Sequence, residues 1–546
     1  MKKHITALLA LVACWSSPAQ SVIKHNPQPK LVVSVVVDQM RYDYLLRFEK
    51  HYGKDGFKKL IKDGFNVENA HYNYVPTYTA VGHTSIFTGT TPSEHGIVGN
   101  NWYDRFEKKY IYCVDDNAYT TVGAANGGAK SPKRLLSTTF SDQLQFTQKF
   151  HGKVIGLAIK DRSAILPTGH TANGAYWFEG NDEGKFISST FYMEELPQWV
   201  KNFNNSGKAD YYMNQPWTTL LPIEQYTESI EDNNPYEGVF TGMDTPTFPY
   251  NLKELAAQNN NYNMIKETAW GNSITTDFAI AALKGENLGQ SDFTDFLSIS
   301  YSSTDYVGHK FGVDSKEIQD SYVRLDRDIA RLLKALDKQV GKGNYTLFLT
   351  ADHAAVPVPS YLKDNKAPGG YLAPSSEMIS YIDNLTQEKY GITGLVEHKS
   401  NNQIFLNRTL LKSNNLELNQ VSEYLAQELI NFKDVYKVVS AHTLQRTNFD
   451  YGIMNMVQKG YNQKISGDVI YVTKPAHIAY SHTGSTHGSG FNYDTHVPVI
   501  FYGAGIQKGS TKKYHSITDI APTISNFLGL SLPTANTGMI IEEALK

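Results

Sequence analysis

Four runs of consecutive apolar, largely β-branched residues constrain this chain more than any other feature. They are Leu31-Val-Val-Ser-Val-Val-Val37, Val154-Ile-Gly-Leu-Ala-Ile159, Phe296-Leu-Ser-Ile-Ser300 and Tyr345-Thr-Leu-Phe-Leu349. Hydrophobicity without alternation is the pattern of a strand buried on both faces. Helical spacing fills the intervals at 57–61, 141–150 and 273–283, and Ile318, Tyr322, Leu325, Ile329, Leu332 and Leu336 trace one face of a long amphipathic helix. Strands alternating with helices predict an α/β fold, a mostly parallel central sheet flanked by helices. At 546 residues, 41% hydrophobic and 19% charged, the chain is long enough for one large globular domain carrying insertions. Insertions are expected at about 167–270, where Tyr, Asn, Gly and Pro replace periodicity, and at about 360–480, which holds separate helix and strand signals.

Lys2 and Lys3 precede an apolar run ending near Trp15, followed by the small residues Ser17, Pro18 and Ala19. This predicts a signal peptide over 1–19, a domain over 20–546, and a periplasmic or secreted protein. Leu11-Val-Ala-Cys14 also resembles a lipoprotein cleavage box, so anchoring through Cys14 is the alternative. After cleavage Cys113 is the sole cysteine, which leaves no intrachain disulfide. No later stretch reads as a transmembrane span. A net charge of −3 argues against a nucleic-acid partner.

The four apolar runs share a second property: each is followed within a few residues by a charged or metal-binding side chain. In a parallel sheet the carboxyl ends of the strands line one edge. Asp38, Lys160, Arg162, Asp305, His309, Asp352 and His353 are therefore expected to converge there. Asp305 and His309 are four residues apart and share one helix face. Mixed His and Asp donors suit Zn²⁺ better than Mg²⁺ or Ca²⁺. In Val75-Pro-Thr-Tyr-Thr79, the proline precedes a helical run, which puts Thr79 at or near a helix N-terminus, where negative charge is favoured. Taken alone, that setting fits an ordinary N-cap.

The motifs Asp38, Pro76-Thr-Tyr-Thr79-Ala-Val-Gly-His83, His95-Gly-Ile-Val-Gly-Asn100, Thr304-Asp305-Tyr-Val-Gly-His309, Ala351-Asp352-His353, Thr486-His487 and Asp519-Ile-Ala-Pro-Thr523 occur in this order. Together they resemble the alkaline phosphatase superfamily, and within it the secreted bacterial enzymes with a threonine nucleophile, the PafA type. The resemblance runs from about residue 30 to the C-terminus. It implies two zinc ions, one held by Asp305, His309 and His487, the other by Asp38, Asp352 and His353 with a contact to Thr79. It implies Thr79 as nucleophile, Asn100 on a phosphoryl oxygen, and Lys160 and Arg162 on the transferred group. Small-molecule phosphate monoesters are the implied substrates. Ala354 departs from the family, which commonly has glycine after Asp-His.

The residue types make chemical sense of this. Threonine is a weak nucleophile until a metal lowers its pKa, and a second metal stabilises the leaving oxygen. Two Zn²⁺ with Lys160 and Arg162 outweigh three carboxylates, a surplus that suits a dianionic monoester. A nucleotide pyrophosphatase-like phosphodiesterase is the alternative on the same fold and lacks the paired Lys and Arg. A sulfatase would carry a Cys/Ser-x-Pro-x-Arg setting, which is not present here. An exported glycan-binding protein would have no use for this set of metal donors.

Overall fold

The strand runs order themselves by register. The structure, a computed structural model, describes residues 28–181 and 183–546; the export segment expected over 1–19, with Cys14, lies outside them. Strand Leu31–Val37 is wholly buried and pairs in parallel with Asp295–Tyr301 on one side and Tyr345–Thr350 on the other. Val154–Ala158 joins in parallel beyond Asp295–Tyr301. Val36 lies opposite both Ser300 and Thr350, and Ser300 opposite Ala158, so the four strands end nearly level. That level edge brings residues spread over more than half the chain into one place. The sheet is mostly parallel, as expected; His496–Gly503 runs antiparallel beside Tyr345–Thr350, and Phe65–His71 follows it.

Flanking helices match the apolar spacing. Phe140–Thr147 opens with a capping box between Thr139 and Asp142, and Trp270–Gly285 covers the segment expected at 273–283. In Lys316–Leu336, Ser315 accepts the Ile318 N–H at 3.1 Å and the predicted apolar face is buried.

The region expected as a first insertion, 167–270, begins inside the central sheet. Gly174–Glu179 pairs in parallel with Val154–Ala158, and Lys185–Ser189 returns beside it. The remainder is tied to the long helix by aromatic donors: Trp217 Nε1 to Asp320 Oδ2 at 2.7 Å and Tyr250 Oη to Glu317 Oε1 at 2.6 Å. Within 360–480, strands Val396–Ser400, Gln403–Leu406, Val435–Ser440 and Val469–Thr473 form a separate antiparallel sheet with its own apolar cluster.

Helix Thr79–Thr88 is buried on every side. Its polar side chains close onto the helix itself, with Thr84 Oγ1 donating to Ala80 O at 2.7 Å and Thr88 Oγ1 to Thr84 O at 2.8 Å. Its approach to the sheet depends on Gly82, where a Cβ would lie 2.0 Å from the Asp352 carbonyl oxygen. Gly82→Ala is therefore expected to destabilise the protein by about 1–3 kcal/mol through overpacking against backbone. Denaturant melts check this, and an unchanged midpoint would contradict so close a contact.

Candidate active site

At the level edge of the sheet the expected donors form two groups. Asp305, His309 and His487 place one ligand atom each within 4.8 Å of one another, and so do Asp38, Asp352 and His353. Asp305 and His309 sit on helix Ser303–Phe311, with Asp305 Oδ1 3.2 Å from His309 Nε2 and 3.6 Å from His487 Nε2. In the second group His353 Nε2 lies 3.4 Å from Asp38 Oδ1 and 3.6 Å from Asp352 Oδ2.

These residues fit a metal on three observations. First, Asp38 Oδ1 and Asp352 Oδ2 are buried without hydrogen-bond partners, a costly state for carboxylate oxygens. Second, each imidazole has Nδ1 against a backbone carbonyl: His309 on Ser485 at 2.7 Å, His487 on Thr77 at 2.7 Å, His353 on Ala354 at 3.0 Å. A carbonyl only accepts, so Nδ1 carries the proton and Nε2 keeps its lone pair for the group. Third, burial drives His487 down to about 3 and His353 well below its ordinary value, so both are neutral, as imidazole donors must be. Burial and the neighbouring Asp352 carboxylate push Asp38 up; only added positive charge relieves such a cluster. Ala354 causes no irregularity: its N–H donates to Asp494 O at 2.8 Å while its carbonyl orients His353.

Thr79 stands at the junction. It is the first helical residue, the N-cap position falling to the extended Tyr78, so it does not cap the helix. Its Oγ1 lies 3.4 Å from His353 Nε2 and 3.4 Å from Lys160 Nζ. Asn100 Oδ1 accepts the Ala80 N–H at 2.9 Å, which leaves the Asn100 amide N–H groups as donors beside Thr79. Lys160, immediately before helix Asp161–Ile165, bridges the two groups, 2.7 Å from Asp38 Oδ2 and 2.5 Å from Asp305 Oδ2. Arg162 lines a cavity of about 270 Å³ together with Lys160; its Nη1 donates to Tyr112 Oη at 3.0 Å and its buried Nε has no partner. All the residues expected at the site are thus gathered at one edge.

The sequence assigns no role to three further side chains at the site, Gln39, His83 and Tyr306, although the last two lie inside its motifs. Gln39 links the groups, its Nε2 donating to Asp305 Oδ1 at 2.6 Å and its backbone N–H to Asp352 Oδ1 at 3.2 Å. It takes a left-handed φ of 64°, and Gly308 makes room for it, since a Cβ there would fall 1.8 Å from the Gln39 amide oxygen. His83 lies 2.9 Å from the Thr79 carbonyl oxygen and 3.3 Å from Asp352 Oδ2. The Tyr306 ring lies 5.2 Å from Lys160 Nζ. By contrast the Asp519 motif is structural: it completes a capping box with Ser516 and accepts the Met539 N–H at 2.9 Å.

Comparison with known proteins agrees in fold and length. The family profile described as type I phosphodiesterase / nucleotide pyrophosphatase matches residues 32–497. The chain is 43% identical over 524 residues to alkaline phosphatase PafA of Elizabethkingia meningoseptica, covering 95% of each. It is 42% identical over 546 residues, 99% of each, to a Myroides odoratus protein named calcium-transporting ATPase. The crystal structure of wild-type alkaline phosphatase PafA superposes with a TM-score of 0.91 at 43% identity, over 95% of this chain and 99% of that one.

Burial raises Asp352 to about 7 in the metal-free chain. A carboxyl raised on folding holds its proton more tightly in the folded state, so stability falls as pH climbs from the unfolded value towards the folded one. The metal-stripped protein is expected to lose thermal stability between about pH 4 and about pH 7, and Asp352→Asn should flatten that part of the profile. Calorimetry of both proteins in chelator checks this; parallel profiles would contradict it.

Proposed function

The chain belongs to the type I phosphodiesterase / nucleotide pyrophosphatase family, and from that premise we propose an alkaline phosphatase that hydrolyses phosphate monoesters through a phosphothreonine at Thr79. The single observation that carries this reading is the position of Thr79 Oγ1, 3.4 Å from both His353 Nε2 and Lys160 Nζ, at the meeting point of two metal-donor groups. Asp305, His309 and His487 would hold one zinc ion, and Asp38, Asp352 and His353, with Thr79, the other. When bound, such ions lower the pKa of a coordinated hydroxyl and stabilise charge on a departing oxygen.

The chain's own residues supply the rest. Thr79 Oγ1 forms a bond to phosphorus as the ester oxygen departs with the organic group, and water then cleaves the phosphothreonine to release phosphate. Asn100, fixed by the Ala80 N–H, offers its amide to one phosphoryl oxygen. Lys160 and Arg162 meet the others, the ammonium as a point charge and the guanidinium as a planar fork. Lys160 is ion-paired with Asp38 and Asp305 in the metal-free chain. Cations in the two groups would neutralise those carboxylates and free it for substrate. Helix Thr79–Thr88, Gln39 and His83 hold the reacting atoms in place, which is most of what phosphoryl transfer asks of a protein.

The family's phosphodiesterase description supports a second reading on the same metals. The paired cations favour the monoester, which presents one more free anionic oxygen than a diester. The name calcium-transporting ATPase, borne by one relative, is compatible with the same phosphoryl site, since ATP ends in a transferable phosphoryl group. Among the described residues no helix is long and apolar enough to cross a membrane. The amino-terminal signal run favours export to the periplasm or medium.

Lys160→Ala/Arg162→Ala is expected to lower kcat/KM for a monoester at least about a hundredfold and for a matched diester by far less. Initial rates on both substrates check this. Equal losses would assign the pair to general positioning and raise the diesterase reading.

A further inference from the structure

In an in-line displacement the attacking and departing oxygens lie on opposite sides of phosphorus. Thr79 stands against His353, so the departing oxygen faces the other donor group, Asp305, His309 and His487. Of the six donors His309 alone exposes an appreciable part of its side chain, 26% against 5% or less for the others. His309 also lines a cavity of about 410 Å³, a volume within the range of small-molecule sites. An organic group departing past His309 therefore enters this cavity.

The cavity is built on the donors themselves. Tyr306 and Tyr480 line it together with His309. The Tyr480 ring lies nearly parallel to the His309 imidazole, with centres 5.6 Å apart and planes at 27°, and its hydroxyl donates to the His309 carbonyl oxygen at 3.1 Å. The segment that follows is fastened to the same helix. Ser485 N–H donates to Gly308 O at 3.2 Å, and Gly484, at a φ of 73°, comes so close that a Cβ would lie 2.0 Å from the His309 carbonyl oxygen. That segment runs on to the donor His487, so the place of Tyr480 relative to the departing oxygen is set by packing.

The charges on the cavity wall are already paired. Lys310 Nζ lies 3.0 Å from Glu267 Oε2 and 4.4 Å from the Phe240 ring centre. Tyr480, by contrast, leaves 39% of its surface exposed. An open aromatic side chain beside a wall whose charges cancel favours a neutral planar ring over a charged group.

We propose that this cavity is the leaving-group subsite and that Tyr480 is its specificity-determining residue, recognising phosphate monoesters whose organic group carries a neutral aromatic ring. The inference rests on the phosphomonoesterase reading and narrows its substrate class. With the phosphoryl group at Thr79, Asn100 and Lys160, the ester oxygen is directed past His309. The ring of the organic group then packs against Tyr480, with Tyr306 on the same wall.

The test uses the metal-loaded enzyme with 2-phenylethyl phosphate, 2-cyclohexylethyl phosphate and ethyl phosphate, whose leaving alcohols are of similar basicity. In the wild type, kcat/KM relative to ethyl phosphate should be higher for the phenyl ester than for the cyclohexyl ester. The phenyl-over-ethyl ratio should fall about fivefold in Tyr480→Ala and survive in Tyr480→Phe, which keeps the ring. A change in how His309 is held would move every substrate alike and cancel from the ratio. An unchanged ratio in Tyr480→Ala, a loss that Tyr480→Phe shares, or a cyclohexyl ester that gains as much as the phenyl ester overturns the subsite. Failure of the wild type to release phosphate from any of the esters would instead overturn the phosphatase reading itself.

Discussion

Three carboxylates, Asp38, Asp305 and Asp352, are buried together at the ends of adjacent parallel strands, and the surrounding architecture depends on accommodating their charge. Left without cations, burial and mutual repulsion hold Asp38 and Asp352 far above the ordinary carboxylate range. Asp305 goes the other way: burial opposes its ionisation, but His309 and Lys160 outweigh that and lower its pKa. One partner on its own helix and one at the start of the helix that follows a neighbouring strand thus decide which carboxylate stays charged. Two bound cations would remove the conflict, and the three imidazoles with fixed Nδ1 protons are set to help hold them.

From that constraint the other features follow as ways of holding position. Strand register makes the edge level, Gly82 lets the Thr79 helix come down onto the Asp352 backbone, and Gly308 leaves space for the Gln39 amide between the groups. None of these contacts is chemical in the sense of bond making. Each fixes a distance that phosphoryl transfer requires to be short and constant. Lys160 shows the economy of the arrangement, since one ammonium within hydrogen-bond distance of Asp38 and Asp305 also lies within 3.4 Å of the Thr79 hydroxyl.

Much of this was legible in the sequence because the central strands are buried on both faces. A run such as residues 31–37 has few other uses, and the residue after it falls at the sheet edge by topology. The helical pair Asp305 and His309 was legible from spacing. Gly174–Glu179 was not, because its aromatic residues sit among Gly and Asn and look like the coil that follows; only the pairing with Val154–Ala158 reveals a strand. The antiparallel direction of His496–Gly503 is set by long-range pairing and leaves no local mark. Gln39 was illegible for a related reason. An amide beside a strand end acquires meaning only from what the fold places opposite it.

The central claim is that Thr79, and no neighbouring hydroxyl, takes the phosphoryl group. Thr77, Thr84 and Ser85 lie within a few residues of it, yet Thr77 Oγ1 donates to Ser489 O, Thr84 Oγ1 to Ala80 O, and Ser85 Oγ pairs with His95. Acid quench of the enzyme during turnover of a ³²P-labelled monoester, followed by peptide mapping, measures the site directly. The account predicts label on Thr79 alone. Label on Thr77, Thr84 or Ser85, or an enzyme that turns over the ester with Thr79 replaced by alanine at the full rate, would contradict it.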